Sequence, residues 1–353
     1  MVKLIEKQAF SNTLLSWFNL HGRQHLPWQI NKTPYRVWVA EIMLQQTQVN
    51  TVIPYFQRFI QHFPDASDLA RTTEEQVLHL WSGLGYYSRA RNLHRAARLI
   101  QQQYHGNIPD NLVALQQLPG IGKSTAGAIL ACGFNKRAPI LDGNVKRVLT
   151  RLYGIAEWPG KKSVENQLWQ LADYHTPSQH IADYTQAIMD FGATLCIRSH
   201  PQCQQCPVNA ICCAYQQGLT AQIPQKKVTN RLPMRTKTWL LLRYRQQLLL
   251  QKRPPTGIWG GLWCVPEIPE QATPAAIRQF CYQWHIDIHD LQFLPAFQRT
   301  FSHFHLNVFP VLITLSKKTI KCMEDQQQIW YNLRQPPALG IPAPVNSLLR
   351  SLL

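Results

Sequence analysis

The sequence predicts a multidomain protein, an all-α region followed by a smaller α/β domain, and three observations predict it. Apolar residues recur at spacings of three and four from Phe10 to about Cys213, as at Leu14, Leu15 and Phe18 and again at Leu78, Leu80, Trp81 and Leu84. Residues 222–235 interrupt that period with Pro224, Gln225, Lys226, Lys227, Asn230 and Pro233, the composition of an interdomain linker. Beyond it the period changes. Residues 238–244 and 248–252 read as strands joined by a tight turn at Gln246-Gln247, residues 306–315 read as another, and residues 274–284 read as a helix between them. A chain of 353 residues is long enough for two or three separate cores.

Within the α region, Pro27, Pro34, Pro54, Pro64, Pro109 and Pro119 divide the pattern into many short helices. Lys plus Arg is 36 against 19 Asp plus Glu, a formal net charge of +17 and a pI near 9.7. That excess points to a polyanionic partner, nucleic acid before membrane. No apolar run reaches the length of a bilayer-spanning helix. The first residues lack the uninterrupted apolar stretch and cleavage site of a secretory signal, so the expected compartment is the cytoplasm. Nine cysteines in a reducing compartment favour metal ligation over disulfides.

Three constellations carry chemistry. In Leu118-Pro119-Gly120-Ile121-Gly122-Lys123-Ser124-Thr125-Ala126, two glycines flank one apolar residue in a tight hairpin and a helix starts behind it. Backbone N–H groups at such a helix start lack intrahelical partners and suit a phosphate. Glu41 stands among apolar residues and Asp142 follows Ile140-Leu141. On pattern alone Glu41 also fits a solvated helix face. In a closed pocket, desolvation would instead keep it protonated near neutral pH, as a general acid requires, and Asp142 would be the charged carboxylate beside a sugar cation. Finally, Cys196-x6-Cys203-x2-Cys206-x5-Cys212 places four thiols where they can close on one inorganic centre, and spacing alone leaves both an iron–sulphur cluster and a structural zinc open. Cys132, Cys264, Cys281 and Cys322 are scattered and read as structural or free.

The hairpin, the Asp142 segment and the cysteine spacing together resemble the helix-hairpin-helix DNA glycosylases related to endonuclease III. Leu26-Pro27-Trp28, the run Glu41 to Val49, Gly83-Leu84-Gly85-Tyr86-Tyr87-Ser88-Arg89-Ala90-Arg91-Asn92 and the Asp142 segment narrow this to a resemblance to the MutY family of adenine-DNA glycosylases. The resemblance implies a helix-hairpin-helix glycosylase core with an iron–sulphur loop, and excision of adenine paired with 8-oxoguanine or guanine in duplex DNA. It implies that Glu41 protonates adenine and then helps activate water, that Asp142 stabilises the oxocarbenium ion and that Asn144 helps order the site. Gln46 and Tyr86 would fill or wedge the duplex around the extruded base, and Gly120, Gly122 and Ser124 would lie against DNA. Trp28 and Leu44 are further pocket candidates, equally suited to a core. The implied cofactor is a 4Fe-4S cluster on Cys196, Cys203, Cys206 and Cys212, with the family spacing selecting Cys212 over Cys213. Relatives that also cut the strand carry a Schiff-base lysine where this chain has Ser124. A hydroxyl cannot form an imine, so the expected product is an intact strand with an abasic site. Lys146, also near the site, is the one amine left to place.

In the C-terminal domain, Lys252-Arg253-Pro254-Pro255-Thr256-Gly257-Ile258-Trp259-Gly260-Gly261 and the residues through Glu267 resemble the lead-in to a Nudix box. Gly261 and Glu267 fit its first half, but Ala275 and Ala276 stand where Arg-Glu belongs and no acidic cluster follows, which excludes metal-dependent hydrolysis. Phe301-Ser302-His303-Phe304-His305 resembles the MutY segment that contacts 8-oxoguanine, implying that Phe301, Ser302 and His303 read the altered purine. Phe301 and Phe304 also fit alternate core positions of a strand.

The expected division is a catalytic region over 1–221, with a six-helix subdomain at 25–137 and an iron–sulphur subdomain made of 1–24 and 138–221. A linker over 222–235 and a Nudix-like recognition domain over 236–353 complete it. The expected protein is a monomer that works on duplex DNA in the bacterial nucleoid, with no membrane partner. The competing readings are a non-catalytic helix-hairpin-helix DNA-binding protein with a metal staple, and a mismatch or oxidised-pyrimidine glycosylase of the same superfamily.

Overall fold

The structure, a computed structural model, describes residues 5–227, 231–318 and 327–353. Cys322 and the linker residue Asn230 lie outside the described residues. Two compact units result: Met1–Arg71 with Asn92–Val228, and Thr72–Arg91 with Thr229–Leu353.

The described residues of the first unit form helices joined by loops, with no strand among them. The opening helix Lys7–His21 buries Phe10, Leu14, Trp17 and Phe18 against helices far along the chain, Lys162–His175 and Ile181–Asp190, in one core with Val145, Leu149 and Leu168. A second group forms around Pro34–Leu44, which packs on Val49–His62 and on the hairpin helix Lys123–Ala128. Pro34 starts its helix at the first position, where its missing N–H costs nothing, and Thr33 caps it by accepting from Arg36 N at 3.2 Å.

Pro54 departs from the expectation that prolines end helices, because it lies inside Val49–His62. A proline inside a helix, through the lost backbone hydrogen bond and the ring clash together, costs about 3 kcal/mol, and full burial of Val52, Phe56 and Phe59 on the same helix outweighs it. Two helices continue into π-helical turns, Ile129–Gly133 and Phe191–Leu195, and the second delivers Gly192 against Asn144 and leads to Cys196.

The second unit is built on a mixed sheet of strands β1 (Met234–Tyr244), β2 (Gln247–Lys252), β3 (Trp263–Cys264), β4 (Glu267–Ile268), β5 (Ile288–Phe293), β6 (Phe297–Thr300), β7 (His305–Leu315) and β8 (Gln328–Asn332). Its main path runs β3-β2-β1-β7-β5, with β1 and β7 parallel and the crossover between them containing helix Pro274–Gln283. The β1–β2 turn is Arg245-Gln246, one residue earlier than expected, since Tyr244 pairs with Gln247 and Arg245 takes a left-handed φ of 53°. Alternate residues of each strand enter opposite cores. Trp239, Leu241, Leu248, Leu250 and Val308 face one side, where Val345 and Leu349 of helix Ala343–Ser351 cover them. Leu240, Leu242, Leu249, Val311 and Ile313 face the other, covered by Ile277 and Cys281. Burial on both faces explains why these strands read as unbroken apolar runs.

Gly127 shows how tightly the hairpin helix packs: a Cβ there would lie 2.4 Å from the Pro139 carbonyl oxygen, on the segment that leads to Asp142. Alanine ordinarily stabilises a helix interior over glycine by about 1 kcal/mol. Here the backbone contact reverses the sign, and Gly127→Ala is expected to lower stability by about 1–2 kcal/mol in a denaturant melt.

Candidate active site

Glu41, Asp142, Asn144, Gln46 and Ser124 line one open cleft of about 1160 Å³ in the first unit, and Trp28 and Leu44 line it too. Glu41 arrives there because every neighbour in its helix from Val37 to Met43 is buried, which leaves the cleft as its one outlet. Burial first, and the nearby Asp142 second, push its carboxyl up to about 8. Asp142 caps the helix Gly143–Tyr153, accepting from Val145 N at 2.7 Å. Burial raises its pKa as well, but the Val145 and Asn144 amides and the charges of Arg147 and Lys146 oppose that rise. Both causes acting on Glu41 favour its acid form, whereas at Asp142 four groups oppose the rise that burial, the largest cause, still carries.

The surroundings hold these groups in place. Ser124 Oγ accepts from Leu141 N at 3.0 Å, so the hydroxyl tethers the residue before Asp142. Lys146 Nζ is paired with Glu165 Oε1 at 2.7 Å and is not among the residues lining the cleft. Lys123 Nζ sits 4.0 Å over the Trp169 ring. Asn144 Oδ1 accepts from Arg147 at 2.8 Å, and the same guanidinium donates to Gly192 O at 2.6 Å and Cys196 O at 2.7 Å. Gly120 takes φ +83° in the hairpin, a conformation that favours glycine, and Gly122 begins the helix behind it with no neighbour on its open side.

Sequence reasoning missed Arg23, Gln186 and Met189, which complete the cleft wall. Asp190, fully buried, accepts from Arg23 Nε at 3.0 Å and from its backbone N at 2.8 Å, and from Gln186 Nε2 at 2.9 Å. Gln186 in turn accepts from Gln29. Arg23 precedes the Leu26-Pro27-Trp28 motif and could have been flagged with it, but Gln186 carries no sequence signal. Gln46 and Tyr86 share a feature also invisible in sequence, left-handed φ of 56° and 48° in residues with large side chains.

Cys196, Cys203, Cys206 and Cys212 line a mostly apolar cavity of about 30 Å³ with Val148, Leu152, Leu195 and Val208. Cys213 is not among its lining residues. Arg151 donates to Cys196 Sγ at 3.4 Å and to the Ile197 and Arg198 carbonyls. Among the described residues no three His, Cys, Asp or Glu side chains converge closely enough to hold one metal ion.

In the second unit, Tyr86, Phe301, Ser302 and His303 line a single cavity of about 840 Å³. Phe304 is the fully buried core residue of this segment, whereas Phe301 stacks on it at 4.5 Å with an edge left to the cavity. Ser302 Oγ lies 3.2 Å from His303 Nδ1.

Residues 39–173 match the model of the HhH-GPD superfamily base excision DNA repair proteins, and residues 238–351 match that of the NUDIX domain. The chain is 41% identical to an adenine DNA glycosylase of Buchnera aphidicola over 98% of its own length and 97% of that protein. It is 34% identical to the Homo sapiens adenine DNA glycosylase over 85% of its length and 66% of the human protein. Among solved structures, a thermostable thymine-DNA glycosylase aligns at 29% identity with a TM-score of 0.54, covering 60% of this chain and 97% of that one. An endonuclease III in a non-covalent DNA complex shares the fold at 22% identity and a TM-score of 0.52, covering 61% of this chain and 99% of that one. Identity at this level along almost the whole chain, over a helical core followed by a Nudix-like domain, shows that it belongs to the adenine DNA glycosylase family of base excision repair enzymes.

Proposed function

We propose that the protein hydrolyses the N-glycosidic bond of adenine opposite 8-oxoguanine or guanine in duplex DNA and stops at the abasic site. The observation that carries this is the pairing of Glu41 and Asp142 in one cleft, where burial raises both carboxyls and only at Asp142 do amides and cations oppose the rise. An adenine taken out of the stack into that cleft receives the Glu41 proton on a ring nitrogen, which makes it a neutral leaving group. As the bond to the sugar carbon breaks, the Asp142 anion opposes the positive charge on the sugar. Water then adds to that carbon and gives its proton back to the Glu41 carboxylate.

Ser124, spent on the Leu141 amide, offers no amine for an imine, and Lys146 is turned to Glu165. Gln46 and Tyr86, held in strained backbone, are suited to fill the space of the extruded base. The hairpin at Gly120–Gly122 would take a backbone phosphate. The cavity edged by Tyr86, Phe301, Ser302 and His303 suits a flat, hydrogen-bonding purine, and we assign it the reading of 8-oxoguanine. The four cysteines gathered on one cavity supply the thiol donors that a 4Fe-4S cluster would take, and their x6-x2-x5 spacing, which resembles that of the family's iron–sulphur loop, favours the cluster over one zinc ion. The cluster would act as a covalent staple, and Arg147 and Arg151 would tie its loop to the helix that Asp142 caps. The reading carries with it a monomer acting on duplex DNA in the nucleoid. No helix among the described residues is long and apolar enough to cross a membrane.

Glu41→Gln is expected to lower single-turnover adenine release by about 10³-fold or more while duplex affinity holds, and Asp142→Asn by at least about 10²-fold, with no borohydride-trapped adduct for the wild type. Because the acid form of Glu41 is the active one, wild-type release should fall about tenfold per pH unit above about 8. A rate that keeps rising there would contradict the assignment. Comparing A:8-oxoguanine with A:G duplexes, Phe301→Ala combined with Ser302→Ala should cut the preference by roughly tenfold or more, leaving A:G release close to wild type. Iron and acid-labile sulphide in equal amounts in purified protein, lost when Cys203 is replaced by serine, would support the cluster, and zinc in their place would refute it.

A further inference from the structure

The stretch Thr72–Arg91 lies within the span that matches the HhH-GPD model, yet it packs with the C-terminal domain as part of the second unit. Three consecutive residues, 339–341, run alongside helix Glu74–Trp81 and the turn that follows it. The Gly340 N–H donates to Glu75 Oε1 at 2.8 Å and the Ile341 N–H to Ser82 Oγ at 3.2 Å. His79 Nδ1 lies 3.1 Å from Leu339 O, and the Tyr87 hydroxyl donates to Ile341 O at 3.4 Å. The second Glu75 oxygen accepts from Lys252 of β2 at 2.8 Å. Gly340 is buried, and a Cβ on it would lie 2.7 Å from that of Leu78, so only glycine lets the segment come this close.

The same turn carries Tyr86. Gly83 and Gly85 take φ of 99° and 78°, which suit glycine, but Tyr86 takes φ 48°, which a tyrosine rarely adopts unaided. Tyr86 stays 49% exposed, so its own burial does not impose that conformation. Its neighbours are held instead. Trp81 Nε1 donates to Gly85 O at 3.0 Å, and the Tyr87 hydroxyl that reaches Ile341 also accepts from Gly83 N at 3.1 Å. Both ends of the turn, Ser82 and Tyr87, are thus bound to Ile341.

We propose that Glu75 and Ser82 are positioning residues for Tyr86. By accepting the consecutive N–H groups of Gly340 and Ile341 they seat residues 339–341 against the turn, and that seat holds Tyr86 in the backbone from which it enters the duplex. A buried amide without its acceptor is costly, so removing both acceptors releases the segment rather than leaving it in place. The unbraced turn then returns Tyr86 to an ordinary negative φ, which redirects its ring. The inference rests on the reading of Tyr86 as a wedge.

Single-turnover adenine release from an A:8-oxoguanine duplex tests it in full-length protein carrying Glu75→Ala with Ser82→Ala, Tyr86→Ala alone, or all three substitutions. The expected result is a loss of about tenfold in the first variant, a loss at least as large in Tyr86→Ala, and no further loss when the three are combined, since the first two act only through the third. A 2-aminopurine base placed beside 8-oxoguanine reports the wedge itself, and the fluorescence change that wild-type protein gives on binding should be absent in every variant. Tyr87→Phe, which removes only a hydroxyl, should show the same masking by Tyr86→Ala and serves if the alanine pair does not fold. Losses that multiply in the combined variant, a wild-type 2-aminopurine signal without the two acceptors, or wild-type release there beside a slowed Tyr86→Ala would each overturn the positioning role alone. Wild-type release and signal in Tyr86→Ala would remove the wedge reading and this inference with it.

Discussion

Two carboxyl groups share one cleft, and the chemistry proposed for it requires that they differ in charge at the same pH. Each would raise the other's pKa, so proximity alone yields one shared proton and no assignment of roles. The asymmetry comes from the backbone. Asp142 sits at a helix start, where an N–H that has no intrahelical partner points at its oxygen, while Glu41 sits inside a helix whose amides are already spent. Glu41 therefore meets mostly desolvation, and Asp142 meets desolvation opposed by amides and by two cations.

The helix that Asp142 caps is consequently the most constrained piece of the first unit. Ser124 holds the residue before the cap, Gly192 allows the neighbouring π-helical turn to close on Asn144, and Arg147 and Arg151 tie the same helix to the carbonyls and sulphur around Cys196. Two half-buried or buried guanidiniums that satisfy several carbonyls at once are stiff joints, since each lost acceptor leaves a desolvated charge unpaired. The cysteine cavity and the carboxylate cleft are thus two ends of one braced helix.

In the second unit, a sheet buried on both faces supplies the floor from which the cavity-lining segments extend. Phe304 goes into the core and fixes the segment, which turns Phe301, Ser302 and His303 to the cavity. Glu267, the acid of the Nudix-like lead-in, is engaged in two ion pairs, with Lys237 and Arg253.

Much was legible before any coordinates. Fold class, the strands β1, β2 and β7 and the spacing of the four thiols were readable from local rules, because a period of two or of 3.6 and a cluster of soft ligands depend on near neighbours in sequence, whereas β3, β4, β5, β6 and β8 were not foreseen. Pro54 inside a helix and the one-residue displacement of the Arg245-Gln246 turn escaped those rules, since tertiary burial and strand register outrank local propensity. Glu41 and Asp142 could be named from the sequence, but their different electrostatic surroundings could not, because desolvation is a property of everything packed around a group. Likewise no local pattern marks Gln186 or Asp190, or predicts that Ser124 would spend its hydroxyl on the Leu141 amide. The sequence by itself determined which chemical groups the protein owns and which helices and strands carry them. Only the tertiary structure decided which of them meet and how deeply each is buried, since contact and dielectric arise from segments far apart in the chain.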